Sequence, residues 1–287
     1  MGNDIVYKLG HTEIAGLQWL PQNTSALKIL SLHGWLDNAA SFFNLSPHFS
    51  EFSHVALDLA GHGFSQHRLD GSFYHLWDYV LDVVSVLNQS NQSVWLVGHS
   101  MGGAVAMLVA AIAPDKVRGL VILDNMGPLS GSPENRVMTL QRSINKMVKH
   151  RKDRGTSYKT KEAMTLARMD GFTKLSKAAS SLLVERGAKQ NAEGVWTWRH
   201  DGKLTFPSPF RMDEESIEAF IQEIKCPTLA LIARDGIYKD DHLLVEKRAA
   251  QFPWIKLQWL EGNHHFHLEP DTCLSVATEI KRFIDQN

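Results

Sequence analysis

The stretch at residues 94–103, VWLVGHSMGG, limits the possible folds of this chain more than any other. Its first five residues are apolar with a β-branched bias and read as a buried strand. The small and apolar residues at 104–113 read as a helix. Ser100 stands at the joint, inside Gly98-His99-Ser100-Met101-Gly102, which fits the G-x-S-x-G pattern. In that pattern a serine sits on a strained strand-to-helix turn with its hydroxyl lifted clear of the sheet edge. Gly98 and Gly102 carry no Cβ to collide with strand or helix, and Gly103, Ala104 and Ala106 let the helix lie close to the sheet. The joint predicts an α/β sheet and a nucleophilic serine.

The flanking chain fits such a sheet. Strand-like runs at 5–9 and 13–20 flank Gly10-His11-Thr12, a predicted hairpin. Buried strands are expected at 27–32, 54–59 and 117–123, a short helix at 39–49 and an amphipathic helix at 74–87. Alternating strands and helices imply right-handed crossovers and a mainly parallel sheet with helices on both faces. Ligands bind beyond the carboxyl ends of such strands, where His33, Asp58, Ser100 and Asp124 all fall. From 129 to 210 the rhythm changes to helices at 134–150, 161–169 and 173–187 plus an extended piece or hairpin at 195–199, which predicts an inserted lid. The sheet pattern then resumes with strands at 228–233 and 255–260 and helices at 214–224, 242–251 and 272–283.

At 287 residues the chain can bury a full core. Its net charge of −1 gives no support to nucleic-acid binding. No apolar run reaches the roughly 18 residues of a spanning helix, and the first residues lack a signal-peptide profile, so a cytoplasmic protein without stable membrane insertion is expected. The lid stretch holds sixteen Lys plus Arg against seven Asp plus Glu, about +9, which suits a solvated helix surface or a basic rim attracting an anionic acyl or leaving group. Cys226 and Cys273 are expected to be unpaired thiols. No metal-site spacing is present, and no cofactor is called for.

A serine hydroxyl needs a base within hydrogen-bond reach, and that base needs a third group to fix its tautomer. Among fourteen histidines, His264, His265 and His267 follow the last strand directly. His264 is favoured because it lies nearest the turn at Gly262. For the carboxylate, Asp124 and Asp235 both end parallel strands; either can partner His264, and either can instead shape its own loop. Asp58, with Gly61 and Gly63, reads as a loop-structuring residue. Negative charge growing on a carbonyl oxygen calls for two backbone N–H donors. Met101, after the serine, supplies one, and Trp35, next to Gly34 after the 27–32 strand, supplies the other. A histidine base predicts activity that rises with pH as the imidazole loses its proton.

HGW, DLAGHGFS, GHSMGG and GNHHFHLEP occur in this order, and with them the chain resembles the α/β-hydrolase superfamily over nearly its whole length. HGWLDNAASF, YHLWDYVLDV and LDNMGPLS are similar to the serine hydrolase-like protein family. The resemblance implies an α/β-hydrolase fold, with a mostly parallel eight-stranded sheet, helices on both faces and a helical lid. Residues 1–128 and 210–287 would form the core and 129–209 the lid. It implies Ser100 as nucleophile, His264 as base, and the Trp35 and Met101 N–H groups as oxyanion hole. Many members place the acid after the seventh strand in a pattern like G-x-x-D, where this chain reads Ala233-Arg234-Asp235-Gly236. Some relatives carry it after the sixth strand, and Asp124 lies twenty-four residues beyond Ser100; Asp124 is therefore favoured over Asp235. Superfamily members that open epoxides or remove halides attack with Asp, which Ser100 argues against. The expected activity is carboxylic-ester hydrolysis through an acyl-enzyme on a small-molecule ester or acyl substrate. Lid residues Met138, Met147, Met164, Met169, Trp196 and Trp198 are expected to wall its pocket. The alternatives are C–C or thioester hydrolysis with the same triad, or ligand binding with negligible turnover.

Overall fold

A computed structural model describes residues 2–21, 28–150 and 156–287. An antiparallel hairpin, β1 (Asn3–Lys8) and β2 (Glu13–Trp19), opens the chain, followed by β3 (Lys28–Leu32) and β4 (Ser53–Leu57). Next come α1 (Leu76–Leu87), β5 (Val94–His99), α2 (Met101–Ile112) and β6 (Val117–Leu123). The segment beyond β6 holds α3 (Arg136–Val148), β7 (Ser157–Tyr158), α4 (Lys161–Met169), α5 (Lys177–Gly187), β8 (Ala188–Gln190) and β9 (Trp196–Trp198). The chain closes with α6 (Glu214–Gln222), β10 (Thr228–Asp235), α7 (His242–Ala249), β11 (Ile255–Asn263) and α8 (Cys273–Gln286).

Eight strands form one sheet in the order β1-β2-β4-β3-β5-β6-β10-β11, parallel from β4 onward and antiparallel at β1 and β2. All six residues of β5 are buried, because a central parallel strand is covered on both faces. Its side chains alternate between two cores: Leu96 packs with Val83 and Val105 on the α1–α2 side, and Trp95 and Val97 with Phe49, Ile280 and Phe283 on the α8 side. Cys226 and Cys273 are buried and unpaired. No helix among the described residues is long and apolar enough to cross a membrane.

Between β6 and α6 lies the cap, a segment that contacts the loops after β3 and β4 through Arg168, Arg186 and Leu204. The extended piece expected at 195–199 is β9, the centre of a second sheet, β7-β9-β8, whose outer strands are too short for a period to show in sequence. The single helix expected at 39–49 is two short 3₁₀ turns, Ala39–Phe42 and Ser46–Phe49, the second with Pro47 in its first turn. Leu27, included in the expected third strand, lies outside the described residues.

Buried ion pairs fasten the cap. Arg186, on α5, places its guanidinium on the wholly buried Asp58, with Nε 3.0 Å from both carboxylate oxygens, and also reaches Asp4. Asp58 accepts as well from the Ala39 and Phe64 N–H groups, so it shapes its loop and holds the cap at once.

Candidate active site

Three non-glycine residues among those described have φ in the left-handed region: Leu36 (62°), Ser100 (51°) and Asp124 (44°). Each follows closely on the end of a parallel strand. Such conformations cost about 1–3 kcal/mol each, and they cluster where function requires a fixed geometry. Ser100 enters α2 directly from β5, its N–H bonded to the Leu123 carbonyl of the adjacent strand.

Of the three candidate histidines, His264 meets a strand-end carboxylate: its Nδ1 lies 2.5 Å from Asp124 Oδ2. Both residues are buried. Two backbone N–H groups fix the carboxylate further, Ala233 on Oδ1 at 3.1 Å and Ile237 on Oδ2 at 3.0 Å. With Nδ1–H committed to Asp124, Nε2 is the nitrogen left to take a proton. His264 and Ser100 line one cavity of about 980 Å³. No hydrogen bond joins them among the described residues; unliganded sites commonly hold such pairs apart until substrate enters. Asp235 is exposed at the end of β10 and makes no bond to His264.

The other two histidines support the loop. His267, fully buried, bonds Ser41 Oγ at 2.9 Å and packs against Phe42. His265 turns away from Asp124 to Asp37, with Nε2 2.9 Å from Oδ2. Asp37 Oδ1 is 2.7 Å from Arg168 Nη2, on α4 of the cap. Burial alone would raise the Asp37 carboxyl, but His265 and the Arg168 guanidinium outweigh it and hold it well below the usual carboxylate range. Sequence reasoning did not single out Asp37 and missed this network; its only signal was an acid two residues from an oxyanion-hole candidate.

His99, next to Ser100 in the chain, reaches the loop that carries His264. Burial, reinforced by the neighbouring imidazoles, pushes its pKa well below the usual histidine value and keeps it neutral. Its Nε2–H donates to the His264 carbonyl at 2.9 Å, and its Nδ1, 3.9 Å from Asp37 Oδ2, has no hydrogen-bond partner among the described residues. His99, Asp37 and His265 bring one ligand atom each within 4.8 Å of one another, a spacing open to a metal ion. Arg168 already places its charge there, and His265 already gives its N–H to Asp37, so two of the three groups are engaged in an ion-pair network.

The loop after β3 is built to present its backbone. A Cβ on Gly34 would stand 3.2 Å from Ser100 Cβ, so the chain passes the elbow at close range. His33 Nδ1–H donates to the Gly34 carbonyl, and His33 Nε2 accepts the Leu59 N–H. His62 Nε2 accepts the Leu36 N–H. Burial lowers the pKa of both histidines, as these acceptor roles require. The Trp35 and Met101 N–H groups have no acceptor among the described residues, and both residues line the cavity. The Trp35 indole donates to the Leu204 carbonyl of the cap at 2.8 Å.

The expected cap residues wall the cavity only in part. Trp198 reaches it, whereas Met164 and Trp196 pack inside the cap and Met138 is exposed. Phe172, Phe206 and Phe210 form the aromatic walls instead. A count of apolar residues on cap helices does not reveal which way each helix faces.

A family model described as the alpha/beta hydrolase fold matches residues 29–271. The chain belongs to the α/β hydrolase family. A serine hydrolase-like protein from Danio rerio is 29% identical over 282 residues, covering 93% of this hydrolase and 84% of that protein. One from Dictyostelium discoideum is 30% identical over 278 residues, 92% of this chain and 76% of that one. The crystal structure of a hypothetical protein from Pseudomonas aeruginosa PAO1 is 33% identical, with a TM-score of 0.92 over 98% of this chain and 99% of that one.

Proposed function

We propose that this α/β hydrolase cleaves carboxylic esters through an acyl-enzyme on Ser100. The observation that carries the reading is the contact of His264 Nδ1 with the buried Asp124 carboxylate, on a histidine that shares its cavity with Ser100. His264 Nε2 takes the Ser100 proton as Oγ attacks the carbonyl carbon. The Trp35 and Met101 N–H groups receive the developing oxyanion. Collapse of the tetrahedral intermediate breaks the bond to the alkoxy group, and His264 returns the proton to the leaving alcohol. Water, deprotonated by the same nitrogen, then frees the acid and Ser100. The aromatic walls suit an apolar acyl chain, and the two buried free thiols suit a reducing, cytoplasmic setting.

Pre-steady-state kinetics with p-nitrophenyl acetate and butyrate test the reading. The wild type should release a burst of nitrophenolate that Ser100→Ala abolishes. Wild-type turnover no higher than that of Ser100→Ala would overturn ester hydrolysis, and a panel of thioesters and diketones would then identify any other bond cleaved.

A further inference from the structure

Helix α3 is seated with its apolar stripe outward. Val137, Leu140, Ile144 and Val148 recur at i, i+3, i+7 and i+11, the spacing of a face that ordinarily turns to a core. All four are exposed, Val137 by 81% and Val148 by 73%, while Ser143 is the buried side chain of the helix. Arg142, Lys146 and Lys149 form a second, basic stripe at i, i+4 and i+7, also exposed.

This helix borders the catalytic cavity. Ser143 Oγ donates to the Pro207 carbonyl at 2.8 Å, and the Arg136 guanidinium lies over the Phe210 ring at 5.5 Å. Pro207 and Phe210 both line the cavity. Around it stand other large apolar side chains that line the cavity and remain exposed: Leu129 at 64%, Phe172 at 85%, and Trp77 beside Phe210. An apolar rim this extensive marks an interaction site.

We propose that α3 and this rim dock on the surface of an anionic phospholipid bilayer, placing the cavity where an acyl chain can enter directly from the lipid. A helix with a strong apolar face, low overall hydrophobicity and a basic polar face opposite it lies in a membrane interface with its apolar side in the acyl boundary. Charge selects this occupant. Arg142, Lys146 and Lys149 are exposed and residues 136–149 include no acid, so the surface of α3 attracts anionic headgroups, whereas two copies meeting through α3 would repel. The inference rests on the proposed ester hydrolysis for the use made of the lipid, while docking itself requires no turnover.

Sedimentation with phosphatidylglycerol vesicles, against phosphatidylcholine vesicles as the neutral arm, separates the two ideas. Wild type and Ser100→Ala should sediment equally with the anionic vesicles and at least about tenfold more weakly with the neutral ones or in high salt. A Leu140→Ser, Ile144→Ser, Val148→Ser variant and an Arg142→Glu, Lys146→Glu, Lys149→Glu variant should each bind about tenfold or more weakly. Both alter exposed side chains and should keep the wild-type thermal melt; the charge variant stands alone if the serine variant fails to fold. Wild-type protein left in the supernatant, or variants that sediment like it, would overturn the proposal. So would a dimer in sedimentation velocity that the serine variant dissociates. A nitrophenyl butyrate burst without vesicle binding would refute docking and leave Ser100 chemistry standing.

Discussion

Gly236 and Asp124 share one point in space: a Cβ on Gly236 would lie 2.2 Å from Asp124 Oδ2. Position 236 is where the G-x-x-D pattern would put its acid, and β10 pairs with β6 directly. Asp124 Oδ2 is the oxygen that meets His264 Nδ1, so a side chain at 236 and the carboxylate of Asp124 exclude each other.

That exclusion predicts the kinetics of the acid variants. Asp124→Asn should lower kcat by about 10³- to 10⁴-fold through loss of the imidazole tautomer. Asp235→Asn, an exposed change, should leave kcat/KM within about twofold. Asp124→Gly combined with Gly236→Asp should recover at least about tenfold over Asp124→Gly alone. Stopped-flow assays on p-nitrophenyl butyrate give all three, and equal loss in Asp124→Asn and Asp235→Asn would contradict the assignment.

Arg168 connects the cap to the loops on both sides of Ser100. Arg168→Met leaves the buried Asp37 carboxylate without the guanidinium paired with it and should destabilise the fold by about 3–5 kcal/mol. Adding Asp37→Asn removes the stranded charge and should restore most of that loss, read from urea unfolding. Activity should fall through kcat more than KM in both variants, because the network positions the loop carrying Trp35. A change confined to KM would place Arg168 in substrate binding instead.

Arg186 anchors the same cap at a second point. Arg186→Ala strands Asp58 and should cost about 3–5 kcal/mol. Limited proteolysis should then cut between residues 129 and 210 well before the core; uniform cleavage would mean that Asp58 alone holds its loop and the cap is fastened elsewhere.

Acid should unfold this protein earlier than its balanced charge suggests. Burial lowers the pKa of His33, His54, His62, His99, His265 and His267, His54 to about 3. The unfolded chain therefore takes up protons first as pH falls. The stability these groups contribute is complete above about pH 6.5 and is lost below it, at up to about 1.4 kcal/mol per histidine per pH unit. His54 shows why the neutral form is required: Ser46 Oγ donates to the Phe42 carbonyl and so accepts His54 Nδ1–H, leaving Nε2 to accept from Ser31. Melting temperatures from pH 8 to pH 4.5 should fall steeply below 6, less so in His54→Gln. A flat profile would contradict neutral burial.

What sequence alone determined here is local. Glycines at 98 and 102 around Ser100, buried apolar runs ending in polar residues, and the histidine cluster after Gly262 specify strand, turn, helix and loop through steric rules that act over a few residues. Tertiary structure decided the rest, because the deciding contacts join residues far apart in the chain. Asp124 and His264 are 140 positions apart, and only the adjacency of β6, β10 and β11 brings them together. Asp37 acquired its partners from α4 and from the loop after β11, neither visible from its own neighbours. The apolar period of α3 was legible as amphipathicity, but a period does not say which face is covered; packing on residues 206–210 turned that face outward.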